Sequence, residues 1–170
     1  MKIKKLIMGL VCACFFALAA CGDIKAFPRD ITCEQILNAA VAVESYDNTR
    51  TYIKDKVELD SFFMSMWSDG IFAECAEFEL LSDYAICYSN DNTTYEISVL
   101  KAKSKDDVQK LVSLLERRKQ TLSEGDKAAY DPGFNKLLDN SKILTEGKFV
   151  ILLITADNTA VLTQIESLKQ

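Results

Sequence analysis

Histidine is absent from all 170 residues. Its absence excludes Ser-His-Asp and Cys-His catalysis, histidine metal sites and the usual proton shuttle at neutral pH. Glycine occurs six times and proline twice, too few for a Gly-rich phosphate cradle or a flexible linker between domains. No Cys-x-x-Cys pair is present, so the common redox and zinc motifs are missing. Calcium loops of the Asp-x-Asp-x-Asp-Gly type are missing too. These residues therefore give no reason to expect a cofactor or a metal.

What the chain does have begins at its first residues. Lys2, Lys4 and Lys5 precede an apolar run over residues 6–17, and Leu18-Ala19-Ala20-Cys21 follows. A positive start, a short apolar middle and a small-residue exit are the parts of an export signal. The apolar part falls short of the about 20 residues that a membrane-spanning helix needs. Leu18-Ala19-Ala20-Cys21 resembles the lipobox of bacterial lipoprotein precursors. That resemblance implies cleavage before Cys21, a diacylglycerol on its thiol, and acylation of the new N-terminus, for instance by palmitate. One acyl chain binds a membrane only marginally, and two hold stably, at about 0.8 kcal/mol per buried methylene. The expected organisation is a signal peptide over residues 1–20, a lipidated tether over 21–30 and a single extracytoplasmic domain over 31–170. The membrane is then a partner through Cys21, at the outer face of the cytoplasmic membrane.

Removing residues 1–20 takes away three lysines and no acid, leaving 17 cations against 25 acids and a charge of −8. Nucleic acid requires a basic footprint and is not expected as a partner. An acidic domain is also repelled by an anionic membrane surface and is expected to stand off it. The one basic cluster, Arg117-Arg118-Lys119, reads as cations offsetting the macrodipole near a helix C-terminus. Cys33, Cys75 and Cys87 remain outside the signal and anchor. Export permits a disulfide, with Cys75 and Cys87 as the candidate pair. Packing as free, small apolar side chains is the alternative.

Periodicity supplies the elements. Thr32 and Gln35 fit a capping box before a helix with Cys33, Ile36, Leu37, Ala40 and Val41 on one face, running to about residue 44. A polar stretch over 45–51 follows. Asp60 can cap a shorter helix bearing Phe62, Phe63, Met66 and Trp67, stopped at Gly70. Alternation over 84–88 and 95–102, separated by a turn cluster, predicts a hairpin. Ser104 can cap a long helix over 105–122, with Val108, Leu111, Val112, Leu115 and Leu122 on one face. Pro132 opens a short helix. Residues 143–145 and 148–155 form a second hairpin through Glu146-Gly147, and Asp157 caps a last helix. Helices and two hairpins without βαβ alternation predict an α+β fold: an antiparallel sheet of about four strands, helices packed against it, and the signal-peptide helix before it.

Three segments, "YEISVLKAKSKDDVQKLVSLLERRKQ", "YDPGFNKLL" and "GKFVILLITAD", are together similar to a family of small bacterial lipoproteins common in Gram-positive bacteria. Glu96 inside a strand, Tyr130-x-Pro132 and Gly147 before an apolar strand carry the likeness, which spans roughly residues 60–168. The family's shared domain is of unknown function. The resemblance implies a lipid-anchored extracytoplasmic domain and transfers no catalytic residue.

Two function classes follow. The first is a non-enzymatic binding or accessory module with an envelope protein as partner. Its candidate patch lies in "SFFMSMWSDGIF", where the core-facing side of the helix needs Phe62, Phe63, Met66 and Trp67 and leaves Met64 on another side; Met64 with either Trp67 or Phe72 exposed would form the contact. The second is a histidine-free hydrolase acting on envelope glycans through carboxylates, drawn from Asp69, Glu74, Glu77, Glu79 and Asp83. Glu96 stands alone in its strand, and alternation opposite Tyr95 and Ile97 predicts exposure. Burial would instead raise its pKa and mark a site. Replacing Cys21 by alanine is expected to leave the precursor uncut, abolish fatty-acid labelling and release the protein from the membrane fraction. Unchanged labelling and fractionation in that variant would defeat the lipobox reading.

Overall fold

Six apolar residues in succession, Phe149–Ile154, form a strand buried on both faces, the signature of a sheet covered from both sides. The computed structural model describes residues 25–44, 46–68, 75–90, 94–124 and 132–170, and the expected signal helix and Cys21 lie outside these. In chain order the elements are α1 (Cys33–Val41), β1 (Thr49–Ile53), α2 (Ser61–Ser65), β2 (Leu81–Ser89), β3 (Glu96–Ala102), α3 (Val108–Glu124), α4 (Pro132–Asp139), β4 (Lys142–Glu146), β5 (Phe149–Ile154) and α5 (Asn158–Glu166). Single 3₁₀ turns, Ala76–Leu80 and Lys105–Asp107, lead into β2 and α3. The fold is α+β, with one open antiparallel sheet in the order β1-β2-β3-β5-β4.

Both expected hairpins form. β2 and β3 pair in the register Cys87↔Ile97, and β4 and β5 in the register Thr145↔Val150. Gly147, at φ +60°, supplies the left-handed residue in the second turn. The sheet has five strands where about four were expected. The additional strand, β1, falls partly in the segment read as a polar stretch. It is an edge strand with only Tyr52 buried, so its solvent face stays polar while Thr49, Thr51 and Ile53 supply β-branched backbone preference.

Alternate residues of the strands feed two cores. Ala85, Cys87, Tyr95, Ile97, Val99, Phe149, Ile151 and Leu153 pack with Ile36, Leu37 and Ala40 of α1 and Val161 and Ile165 of α5. On the other face Tyr84, Ile86, Tyr88, Leu100, Val150, Leu152 and Ile154 pack with Phe63 of α2, Leu111, Leu114 and Leu115 of α3, and Leu138 of α4. Helices therefore cover both faces of the central strands β2, β3 and β5. No helix among the described residues is long and apolar enough to cross a membrane.

The predicted caps hold the helices in place. Thr32 Oγ1 accepts from the Gln35 N–H, and Gln35 Oε1 accepts from the Thr32 N–H, closing the capping box. Asp60 Oδ1 accepts from Phe63 N–H at 2.7 Å, and Asp157 accepts from the N–H groups of Thr159 and Ala160. Ser104 does not cap the backbone; its hydroxyl donates to Asp107 at 2.6 Å instead. α1 stops at Val41, and Glu44 beyond it accepts from the N–H groups of Ala156 and Asp157, tying the end of α1 to the start of α5. Leu152→Ala, in the centre of the second core, should cost about 2–5 kcal/mol in urea unfolding. Thr32→Ala should cost about 0.5–2 kcal/mol through the lost cap. Equal costs would contradict this division between core and cap.

Candidate functional site

β3 occupies the middle of the sheet, so the side chains of both its faces meet helices. Its alternation puts Glu96, Ser98 and Leu100 toward α3. Glu96 is only 2 % exposed, and Arg118, reaching down from α3, only 6 %. Arg118 Nε and Nη2 both donate to Glu96 Oε2, at 3.0 and 2.8 Å, while Ser98 Oγ donates to Oε1 at 2.8 Å. The third guanidinium nitrogen, Nη1, donates to the carbonyl of Met66 at 3.1 Å, and Arg118 Cζ lies 5.6 Å from the Trp67 ring centroid. One buried ion pair thus joins β3, α3 and the residues that end α2. The expectations of an exposed Glu96 and of Arg118 as a cation offsetting the helix macrodipole are both corrected. The outer face of β3 is not solvent but the floor of the second core.

The neighbouring arginine continues the arrangement. Arg117 Nη2 donates to Glu77 Oε1 at 2.9 Å, and Cys75 Sγ donates to Glu77 Oε2 at 3.3 Å. Partial burial pulls the Glu77 pKa upward, but hydrogen bonds from its own backbone N–H, Arg117 and Cys75 outweigh it and hold the carboxyl below its usual value. Burial and the bond to Glu77 push the Cys75 thiol up to about 11. Cys33 is raised further, by burial and by Asp83. Such thiols stay protonated at neutral pH and are poor nucleophiles.

Of the acids expected to cluster, Glu77 turns toward α3, whereas Asp83 Oδ2 accepts from the Cys33 N–H at 2.8 Å, at the start of α1. They serve opposite faces of the sheet and do not converge. Glu79 is exposed, and Asp69 and Glu74 lie outside the described residues. Cys33, Cys75 and Cys87 are free. Cys75 packs in the core beside α3 and Cys87 in the core beside α1, so the sheet stands between the candidate disulfide partners. The candidate patch is likewise rearranged. Trp67 is buried at 2 % exposure, Met64 is half-buried against the same core, and Phe72 lies outside the described residues. Phe62, expected inside, is 60 % exposed. Five residues of α2 can bury only one narrow stripe, and Phe63 with Trp67 takes it.

A groove of about 840 Å³ runs along the outer side of α3 beside α4. Glu116, Arg117, Lys119 and Asp139 line it around Val112 and Leu138. No motif marked it in the sequence, because its residues come from two separate helices. Glu116 pairs with Lys119 at 3.6 Å.

The buried pair and this groove fall within one stretch of recognised sequence. Residues 78–155 match a family model described as a domain of unknown function, DUF4358. The DUF4358 span includes β2, β3, α3, α4, β4 and β5, hence both Glu96 and Arg118; α1, β1, α2 and α5 lie outside it. No curated protein and no solved structure matches the chain.

Removing one member of a buried ion pair leaves the other uncompensated, at a cost of about 3–5 kcal/mol, whereas replacing both with apolar groups is often neutral. Glu96→Leu and Arg118→Met should each destabilise by that amount. The double variant should recover most of the loss in the same urea titration. Additive losses in the double-mutant cycle would show that the two side chains act independently.

Proposed function

We propose that the protein is a lipid-anchored, extracytoplasmic, non-enzymatic module that works by binding a partner at the cell envelope. The observation that carries this reading is the engagement of its carboxylates. Glu96 is consumed by Arg118, Glu77 by Arg117, and Asp83 by the start of α1. Glycoside hydrolysis needs two carboxyl groups about 5–9 Å apart across a cleft, one of them free to give a proton. Of the acids that the sequence offered, Glu77, Asp83 and Glu96 serve as structural partners on different faces of the sheet. The protonated thiols of Cys33 and Cys75 support the same reading.

The α3–α4 groove supports binding. It sets charges of both signs around two apolar side chains, a surface that suits a polar partner with a small apolar anchor. It also holds two carboxylates, Glu116 and Asp139, and this keeps the hydrolase as the second reading. The two readings separate in cells lacking the native gene and supplied with Glu116→Gln/Asp139→Asn. Wild-type turnover of labelled cell wall is expected from that variant, at normal protein level and membrane fractionation. Turnover that falls to the level of the empty strain would favour the hydrolase.

A further inference from the structure

One end of the sheet is defined by the register Leu81↔Ala102, Lys101↔Phe149 and Glu146↔Phe149. The chain enters the described fold at this end. Ala26 and Gln170 exchange two backbone hydrogen bonds, at 3.2 and 3.1 Å. The Phe27 ring meets Phe149 edge-on at 5.4 Å, and Lys169 Nζ lies 5.3 Å from the Phe27 centroid while paired to Glu146 and Glu166. The segment expected to be a tether over 21–30 is therefore part of the fold from residue 26 onward. Five residue steps separate Cys21 from Ala26, a reach of at most about 18 Å at roughly 3.3–3.6 Å each. A domain of this size has a radius of gyration of about 15 Å. A lipid on Cys21 then brings this end of the sheet, and no other, against the bilayer.

The cations at this end are unusual in what they bind. Lys54 Nζ donates to the Ser82 carbonyl, Lys101 to Ile31, Lys103 to Glu79 and Lys148 to Lys103, at 2.6–3.2 Å. None of the four forms an ion pair with a described carboxylate. Each ammonium has three donors and uses one on a carbonyl; Lys101 also lies over the Phe149 ring at 4.7 Å, while Lys54, Lys103 and Lys148 keep two for an incoming acceptor. Nearby acids are mostly occupied: Glu34 by Lys56, Glu146 and Glu166 by Lys169, and Asp83 by the Cys33 N–H. Lys103 and Lys148 are both exposed at this rim and are linked by the bond from Lys148 to the Lys103 carbonyl.

We propose that this end of the sheet docks on anionic phospholipid headgroups, with Lys103 and Lys148 donating to lipid phosphate. The proposal rests on lipidation of Cys21, and it reverses the expectation that an acidic domain stands off the membrane. Screening over about 8 Å at physiological salt confines repulsion from acids farther away in the domain.

The test uses the mature lipidated chain, purified from membranes and reconstituted on vesicles of phosphatidylcholine alone or of phosphatidylcholine with phosphatidylglycerol. Flotation reports anchoring, and acetylation by a membrane-impermeant amine reagent, read by mass spectrometry, reports contact. The protein should float with both vesicles. Acetylation of Lys103 and Lys148 should fall several-fold on the anionic vesicles, while Lys142 at the other end of the sheet is unchanged. Lys103→Gln/Lys148→Gln should keep its melting temperature and lose the lipid-dependent protection of Lys54. Flotation with equal acetylation on the two vesicles, or protection of Lys142 instead, overturns the docking and leaves the anchor intact. Failure of the wild-type chain to float on neutral vesicles, as Cys21→Ala should fail, overturns the anchor and the docking together.

Discussion

The carboxylate of Glu96 and the guanidinium of Arg118 lie inside the domain with almost no access to water, and much of the second core is arranged around them. A buried charge is tolerated only when its partner and the remaining donors are supplied. Here the supply comes from four places: α3 gives the guanidinium, β3 itself gives Ser98, the end of α2 gives the Met66 carbonyl, and Trp67 gives a ring face. The Ser98 bond stays within β3, but the contacts made by Arg118 fix distances between elements far apart in the chain. These directional bonds add to the close packing of the apolar side chains in holding α3 against the sheet.

That placement also explains the surroundings of Arg117. Once Arg118 points into the sheet, its neighbour must point sideways, where it meets Glu77 and, through Glu77, Cys75. Two consecutive arginines thus perform different tasks because a helix turns about 100° per residue. The inner one aligns layers, and the outer one closes the seam between α3 and the turn before β2. The groove along α3 begins on the far side of that seam.

The layout of helices and hairpins was legible in the sequence because caps and periodicity are local signals. Thr32, Asp60 and Asp157 all cap as their side chains suggest. The six apolar residues of β5 announced a strand covered on both faces. If β5 is covered on both sides, so is its neighbour β3, and Glu96 is buried where alternation within its own strand predicts exposure. Arg118 carried a matching signal, since it falls between Leu115 and Leu122 on the buried face of α3. The edge strand β1 was hidden for the opposite reason, as a strand open to solvent looks like a loop. The α3–α4 groove could not be read at all, because it exists only after two helices separated by several residues are placed side by side.

The junction of Ala26 with Gln170 has a mechanical side. Any pull on the segment before residue 26 loads two backbone hydrogen bonds and the contact of Phe27 with Phe149. Phe149 begins β5, which is bonded to β3 on one side and β4 on the other. Tension would therefore be shared across three strands rather than peeling an edge. Under tension from its N-terminal side the chain would yield first at this small clasp, lengthening by a few residues while the sheet remains whole.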